Sequence, residues 1–428
     1  MNKTKEIWMT GFALFSLFFG AGNLILPPSL GVKSGFDWWI VVLGFACTAV
    51  VIPIFAIYAH SKLQGTLFDF GKKVSPLFSS VFCFLIYIIS ISIPSPRTAA
   101  VTHEMAVQPN WEISPIVTSI IYFSLVYVFA INRSKILSII GKYLTPIIGL
   151  IIIAIVAKSV FLDPETYSES TFSVPFIDGF LEGYQTFDAI GGVVVGAVIV
   201  ISLQLRGHTT FEAKKEIIQK AGIIAGTGLL LIYGGLVLSG FLTSSWFETS
   251  ASRTEILTGI SKLTLGNLGT SFLSVLVSLA CFTTAVGIVT GASDYVRGIS
   301  NNSNKAFRIT AFVGCLIGVI VGSFQVDFII TLAVPALMFL YPITIVLILL
   351  NSIPEKYASA FVFRGVVFTA FLFSIPDFLS FIIDKELLEG VFAVIPLASF
   401  NLGWVLPSVL ALILTNIYIF NRKARISN

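Results

Sequence analysis

Long apolar stretches separated by short polar segments run along the whole chain. About twelve of them are long enough to cross a bilayer, which takes about 20 helical residues. Their approximate ranges are 7–30, 38–59, 77–102, 113–131, 140–161, 177–203, 219–245, 266–297, 306–323, 327–350, 360–383 and 391–420. The connecting segments leave no room for a soluble domain. The pattern therefore predicts an all-α polytopic membrane protein, with residues 1–428 as one transmembrane domain.

Two of the predicted spans are interrupted near the middle. Residues 20–23 of the first span read Gly-Ala-Gly-Asn, and residues 188–192 of the sixth read Asp-Ala-Ile-Gly-Gly. Lipid cannot replace lost backbone hydrogen bonds, so such an interruption is tolerated only where it lines a cavity or a buried site. Interruptions at corresponding places in two halves of a chain are typical of the binding site of a secondary transporter.

The positions of these interruptions predict an internal repeat. If the first and sixth spans correspond, each unit holds five spans, and an odd number inverts the second unit in the membrane. Repeat one would cover about 7–161 and repeat two about 177–350. The spans at about 360–420 would be two additional C-terminal helices.

Composition and charge agree with a membrane protein. The chain is 56% hydrophobic and 11% charged, whereas soluble domains carry about 25% charged residues. With the N-terminus placed in the cytoplasm, 20 of the 26 basic residues fall on the inner side. This asymmetry predicts that both termini are cytoplasmic. The small net charge of +4 does not indicate a nucleic-acid partner, and the sequence lacks the clustered acid, base, nucleophile or metal ligands of an enzyme.

Three motifs carry a family resemblance. Residues 18–28 (FFGAGNLILPP) closely resemble the first-helix signature of the bacterial branched-chain amino acid:cation symporters, the BrnQ-like family. Residues 93–99 and 187–191 resemble the motifs of its third and sixth helices. The resemblance implies a LeuT-like fold with a 5+5 inverted repeat, and sodium-coupled uptake of leucine, isoleucine and valine by alternating access. Another neutral amino acid as substrate, or coupling to protons, is the alternative.

The two interruptions predict the substrate site. A half-helix that begins in mid-membrane offers free N–H groups and a positive dipole end to a carboxylate. We expect the N–H groups of Ala21, Gly22 and Asn23 to bind the substrate carboxylate, and carbonyls near Phe187 to accept from the ammonium group. Asp188 could be a direct charge partner, a proton-coupled group or a helix cap. The predicted substrate-binding residues are Gly20, Ala21, Gly22, Asn23, Phe187, Asp188, Ala189 and Gly191.

The resemblance also implies a sodium site between the first and eighth helices. In LeuT-like transporters a carbonyl and two hydroxyls of the eighth helix, with two carbonyls of the first, surround the ion. The corresponding positions are Ser16, Phe19, Ala280, Thr283 and Thr284. From the sequence alone, such a threonine pair usually bonds back to carbonyls of the preceding turn. We expect Na⁺ as the coupling ion and no organic cofactor.

Arg97, near the outer end of the third span, is a gate candidate. It could pair with an acid across the vestibule, for which Glu104 and Asp327 are candidates, or it could extend to the membrane interface. The expected partners are a small amino acid and the lipid bilayer, with no obligate protein partner. The expected location is the cytoplasmic membrane of a bacterium.

Overall fold

The computed structural model describes residues 3–20, 23–132, 136–162, 164, 166–248 and 250–427, which form helices, turns and short loops. The helices are α1 Lys3–Phe18, α2 Leu26–Ser34, α3 Trp38–Ala46, α4 Ile52–Leu63, α5 Leu67–Gly71, α6 Pro76–Ser92, α7 Pro94–Thr102, α8 Pro115–Asn132, α9 Ile136–Ser159, α10 Pro175–Glu182, α11 Asp188–Leu205, α12 Phe211–Leu242, α13 Arg253–Ile299, α14 Asn304–Val321, α15 Val326–Ser352, α16 Ala360–Leu379, α17 Glu389–Val394 and α18 Val405–Ser427. π-helical turns at Cys47–Val51 and His103–Val107 continue α3 and α7.

The described part of the chain holds ten helical segments that are long and apolar enough to cross a membrane. One of them, Leu26–Leu63, combines α2 with the whole second predicted span. Helix α1 has 16 residues and is too short to be counted alone, because its span is broken. The all-α membrane architecture is confirmed, and the count of twelve spans stays a prediction.

The first predicted interruption is present, and the sixth span is broken directly before the predicted residues 188–192, which instead form the first turns of α11. In the first span α1 ends at Phe18 and α2 begins at Leu26, with prolines in the first turn of α2. A proline is tolerated there because the first helical N–H groups have no intrahelical partner. In the sixth span a 3-10 turn over Gly183–Thr186 separates α10 from α11, and Phe187 adopts a left-handed conformation (φ 60°, ψ 11°). That conformation cannot continue a right-handed helix.

Two further spans are less regular than the sequence indicated. The third span is divided at Ile93 (φ −125°, ψ −71°), directly before Pro94, since a residue that precedes proline is disfavoured in the helical region. At the eighth span a separate helix from Arg253 precedes the spanning helix and joins it at Gly266 (φ 72°), so the spanning part begins near residue 266 as predicted.

The last predicted span, 391–420, begins too early. Helix α17 ends at Val394, and α18 begins only at Val405. Leu397 and Asn401, which lie between them, have φ of 65° and 55°. Residues with positive φ interrupt a right-handed helix, so the apolar run is divided although its hydropathy is continuous.

Reciprocal packing supports the inverted repeat. Helices α1 and α2 pack against α12, whereas α10 and α11 pack against α3 and α4. In each half, a glycine lets the two helix backbones come close together. A Cβ on Gly31 would lie 2.0 Å from the Val237 carbonyl oxygen, and a Cβ on Gly44 would lie 1.9 Å from that of Phe176. The broken spans therefore occupy equivalent places in the two halves.

Candidate functional site

The two interruptions lie together at a cavity of about 280 Å³. Gly20 and Asn23 of the first break line it, as do Phe187, Asp188 and Gly191 of the second. Cavities for small ligands usually have volumes of about 300–1,000 Å³, so this one is suited to a small molecule. The structure thus brings most of the predicted substrate-binding residues to one place.

A side-chain bridge joins the two breaks. The Asn23 amide nitrogen donates to both carboxylate oxygens of Asp188, at 2.9 and 3.0 Å. Both side chains are buried, with 4% and 7% of their surface exposed. The same amide lies 3.4 Å from the Phe18 carbonyl oxygen, where α1 ends. The sequence indicated each residue separately, but a pair 165 positions apart carries no local signal.

The backbone N–H groups at the second break already have hydrogen-bond partners. The Ala189 N–H donates to the Tyr341 hydroxyl at 3.4 Å. The Gly191 N–H donates to the Phe187 carbonyl at 2.7 Å, and the Asp188 N–H donates to the Thr186 hydroxyl at 3.2 Å. Since the Phe187 carbonyl already accepts one bond within α11, the Asp188 carboxylate is the strongest acceptor at the cavity. Ala189 itself does not line the cavity.

The backbone of the first break is partly described. The Gly20 N–H donates to the Phe18 carbonyl at 2.8 Å, and the Asn23 N–H donates to the Gly20 carbonyl at 3.0 Å. The Asn23 N–H is therefore engaged in a local turn. Ala21 and Gly22, the other two predicted carboxylate donors, lie outside the described residues.

The cavity is accessible from one end of the molecule. At this end, which we call the N-terminal face, the beginning of α1 meets the end of α11 through Glu6 and the His208 imidazole, 2.9 Å apart. Lining residues towards it, such as Thr284 and Gly287, are exposed, whereas the lining residues at the breaks are mostly buried. The walls are mainly apolar, with Leu17, Ile190, Val194, Val195 and Ile288.

Arg97 lies inside the protein rather than at its edge. Its side chain is 4% exposed, so it does not extend to the membrane interface. Its guanidinium donates to the Gln185 carbonyl at 2.8 Å and lies 5.7 Å from the centre of the Phe187 ring. The expected pairing with Glu104 or Asp327 is not found, because both acids bind other groups.

Those other groups form what we call the Arg253 clasp: Arg253, Thr254, Glu182, Asp327 and Glu104. Arg253 pairs with Asp327 at 2.6 Å and with Glu182 at 3.2 Å. Glu104 accepts from the Thr254 hydroxyl at 2.5 Å and from the backbone N–H that begins α15 at 2.8 Å. The clasp joins the third span, α10, the start of α13 and α15 at the end opposite the N-terminal face. The sequence analysis missed it, although acids that flank apolar spans were a usable signal.

The hydroxyls among the predicted sodium ligands already have protein partners. The Thr283 and Thr284 hydroxyls both donate to the Ala280 carbonyl at 2.9 Å, as threonines in membrane helices commonly do. The Ser16 hydroxyl is bonded to that of Thr145 at 3.0 Å. Ser16 and Phe19 belong to the α1 segment, which packs mainly against α12, while α13 packs mainly against α7 and α9. Of the five residues, Thr284 lines the cavity.

Known proteins are similar to this chain in fold or in sequence. A solved Na⁺-coupled sialic acid symporter is similar over 96% of this chain and 90% of its own, with a TM-score of 0.58 and 13% identity, which confirms the LeuT-like fold. The branched-chain amino acid transport system 2 carrier protein of Pseudomonas aeruginosa is 32% identical over 420 residues, covering 96% of this chain and 95% of the relative. The branched-chain amino acid permease BraB of Bacillus subtilis is also 32% identical, over 96% and 94% of the two chains.

The chain also matches the sequence model of a protein family. The model described as branched-chain amino acid transport protein matches residues 3–422. It covers nearly the whole chain, including both breaks and the cavity between them. The chain is thus a multi-pass transporter rather than an enzyme, and it belongs to the branched-chain amino acid transport protein family.

Proposed function

We propose that this chain carries leucine, isoleucine and valine into a bacterial cell across its cytoplasmic membrane, coupled to Na⁺ and by alternating access. The observation that carries the proposal is the cavity at two broken helices whose polar groups are bridged by Asn23 and Asp188. A zwitterion needs a charged acceptor and nearby donors in a water-poor site, and an aliphatic side chain needs apolar walls. This cavity offers both.

In this proposal Asp188 accepts a hydrogen bond from the substrate ammonium group. The carboxylate is buried, faces the cavity and accepts hydrogen bonds from a neutral amide. The Arg97 guanidinium lines the same cavity and attracts the carboxylate without forming an ion pair with it. A substrate ammonium would add a direct charged hydrogen bond, and such bonds are worth about 1.5–3 kcal/mol. The substrate carboxylate would then bind at the first break, near Gly20.

Na⁺ would bind between the first and eighth spans. The proposed ligands are the carbonyls of Ser16, Phe19 and Ala280 and the hydroxyls of Thr283 and Thr284. These five neutral oxygens suit a hard alkali ion, and none of them titrates usefully, which favours Na⁺ over H⁺. The two hydroxyls already converge on the Ala280 carbonyl, so they would turn from that carbonyl to the ion when α1 approaches.

Alternating access would open the two ends of the cavity in turn. If the N-terminal face is cytoplasmic, as the basic residues predict, the Arg253 clasp closes the outer end and the cavity is open inwards. Opening the clasp while α1 moves towards α13 would expose the site to the outside and complete the sodium site. Bound Na⁺ and substrate would then favour the same arrangement, and each would raise the affinity of the other.

Uptake into proteoliposomes tests the proposal. Purified protein should concentrate labelled leucine when only an inward Na⁺ gradient is imposed, with competition by isoleucine and valine and little by serine. Leucine and valine differ by one methylene, worth about 0.8 kcal/mol, so their affinities should differ only about fourfold. Uptake driven by a pH gradient and indifferent to Na⁺ would contradict sodium coupling, and equal competition by serine would contradict the substrate class.

A further inference from the structure

A second polar cluster lies outside the substrate cavity, and its centre is Asp377. This residue is in the last turn of α16, one of the helices outside the predicted repeat. Its side chain is 0% exposed, and neither carboxylate oxygen has a hydrogen-bond partner among the described residues. A carboxylate in this position is expensive to keep ionised without a cation.

The groups around Asp377 are polar but uncharged. The Gly403 N–H is a donor close to the carboxylate but outside ordinary hydrogen-bond geometry, and the Tyr184 hydroxyl interacts with the carboxylate electrostatically. The Trp404 indole N–H lies close to the Tyr184 hydroxyl, and neither of these two groups makes a hydrogen bond of ordinary geometry in the described structure. The described lysines, arginines and histidines form no ion pair with Asp377.

This cluster is connected to the second break. Tyr184 belongs to the 3-10 turn that directly precedes Phe187. Its ring stacks on that of Tyr341 with centroids 4.3 Å apart, and the Tyr341 hydroxyl accepts from the Ala189 N–H. Tyr184 and Tyr341 are the titratable side chains that face the cluster from the elements packed against α16. When the second break moves, the surroundings of Asp377 must therefore change.

We propose that Asp377 is a proton-binding site that takes part in the transport cycle. The carboxylate takes up a proton from one side of the membrane and is then neutral, which suits its buried position. In this form its O–H donates to a neighbouring hydroxyl, and its other oxygen accepts from the Trp404 or Gly403 N–H. When the second break moves, the acid meets water and releases the same proton on the other side. A proton suits the site better than Na⁺ because the Trp404 indole can only donate and cannot be a ligand.

The inference rests on the proposed function, because it requires that the second break moves during transport. The test therefore uses two readouts in the same proteoliposomes. Exchange of labelled for unlabelled leucine reports substrate binding and movement without net coupling. A trapped pH-sensitive dye reports whether leucine entry carries protons, with equal pH on both sides at the start. Absence of leucine exchange in the wild type would refute the proposed function itself.

We expect wild-type protein to acidify the vesicle interior when leucine enters. Asp377→Asn, which resembles the protonated acid, should keep leucine exchange within about twofold and lose the acidification. Asp384→Asn, on the loop that follows α16, is the matched control and should keep both. Wild-type vesicles without proton entry, or Asp377→Asn vesicles that still acidify, would overturn the proposal. A changed Na⁺ dependence in Asp377→Asn with proton entry intact would make the site one for Na⁺ and would also overturn it.

If Asp377→Asn does not fold, Asp377→Glu decides the question. The longer carboxylate keeps the titrating group but changes its surroundings, so the pH at which leucine uptake is half-maximal should shift. The same pH dependence in Asp377→Glu and in the wild type would show that the residue does not carry the proton.

Discussion

At the scale of single residues, the site depends on which polar groups already have partners. Asp188 accepts both of its strong bonds from one neutral amide, and Arg97 attracts it from the same cavity without a direct bond, so a substrate ammonium can still bind it directly. The threonine hydroxyls of α13 are different, because an intrahelical carbonyl already satisfies them. A ligand must therefore displace the intrahelical hydrogen bond of Thr284, whereas at Asp188 it adds a hydrogen bond without displacing one.

Thr284→Ala tests the assigned sodium ligand. If the hydroxyl binds Na⁺ during transport, its loss costs about 1 kcal/mol, and the Na⁺ concentration for half-maximal leucine uptake should rise roughly fivefold. The matched control is Ser278→Ala, which removes a hydroxyl from the same helix with a similar bond to the carbonyl one turn before, 2.7 Å long. Equal Na⁺ activation in the two variants and the wild type would exclude Thr284 from the site.

At the scale of elements, each broken span is held by a neighbour. The contacts are close because glycine has no side chain, so they position α2 on α12 and α10 on α3 without depending on side-chain rotamers. Small residues are the usual way for membrane helices to approach each other, since apolar side chains gain little by leaving lipid for each other. Helices α1 and α11, the other halves of the broken spans, pack on α12 and α4 as well, so each broken span is supported along both of its halves.

Gly44→Ala tests this support. The new Cβ would lie 1.9 Å from the Phe176 carbonyl oxygen, so α3 and α10 must separate. We expect a stability loss of about 1–3 kcal/mol, as for other overpacked sites, seen as a lower apparent melting temperature in detergent. Gly149→Ala is the control, because its Cβ would meet nothing within 4 Å. Equal melting temperatures for the two variants would show that the contact is not tight.

The Arg253 clasp makes a separate prediction for the opposite end. Arg253→Ala leaves Glu182 and Asp327 without their cation. A lost bond between charged groups costs about 2 kcal/mol, so the equilibrium constant for opening of that end should increase roughly 30-fold. Hydrogen–deuterium exchange should therefore become faster in α10 and residues 253–265. Lys262→Ala removes an exposed charge from the same helix and should leave exchange unchanged. Unchanged exchange in Arg253→Ala would mean that the clasp does not hold that end closed.

At the scale of the whole molecule, the proposed function depends on the cavity at the two breaks. Gly287→Val tests whether that cavity is the substrate path, because Gly287 lines it and has nothing within 4 Å of an added Cβ. If the larger side chain crowds bound leucine at a cost of about 1–3 kcal/mol, leucine affinity should fall roughly 5- to 150-fold without loss of stability. Gly298→Val, equally open but outside the cavity, is the control. Unchanged leucine affinity in Gly287→Val would move the path elsewhere.

Much of this architecture could be predicted because membrane spans follow from composition and length. The first break and the presence of a second were predictable for the same reason, since glycines and Asp188 are conspicuous in apolar runs. The second break lies just before Asp188, at a left-handed Phe187 that hydropathy does not reveal. The division before Val405 was not, because backbone conformation at Leu397 and Asn401 does not change hydropathy. The Asn23–Asp188 bridge and the Arg253 clasp join residues that are far apart in sequence, and single-sequence patterns do not record such contacts.

The central claim is that Asp188 and the facing break bind the two charges of an amino acid. The most direct measurement compares the affinity of purified protein for leucine with that for 4-methylpentanoate, which is leucine without its amino group. Wild-type protein should prefer leucine strongly, and Asp188→Asn should reduce that preference at least tenfold, as expected for about 1.5–3 kcal/mol in a charged hydrogen bond. Asp178→Asn, on α10 and away from the cavity, should keep it. An unchanged preference in Asp188→Asn would contradict the claim.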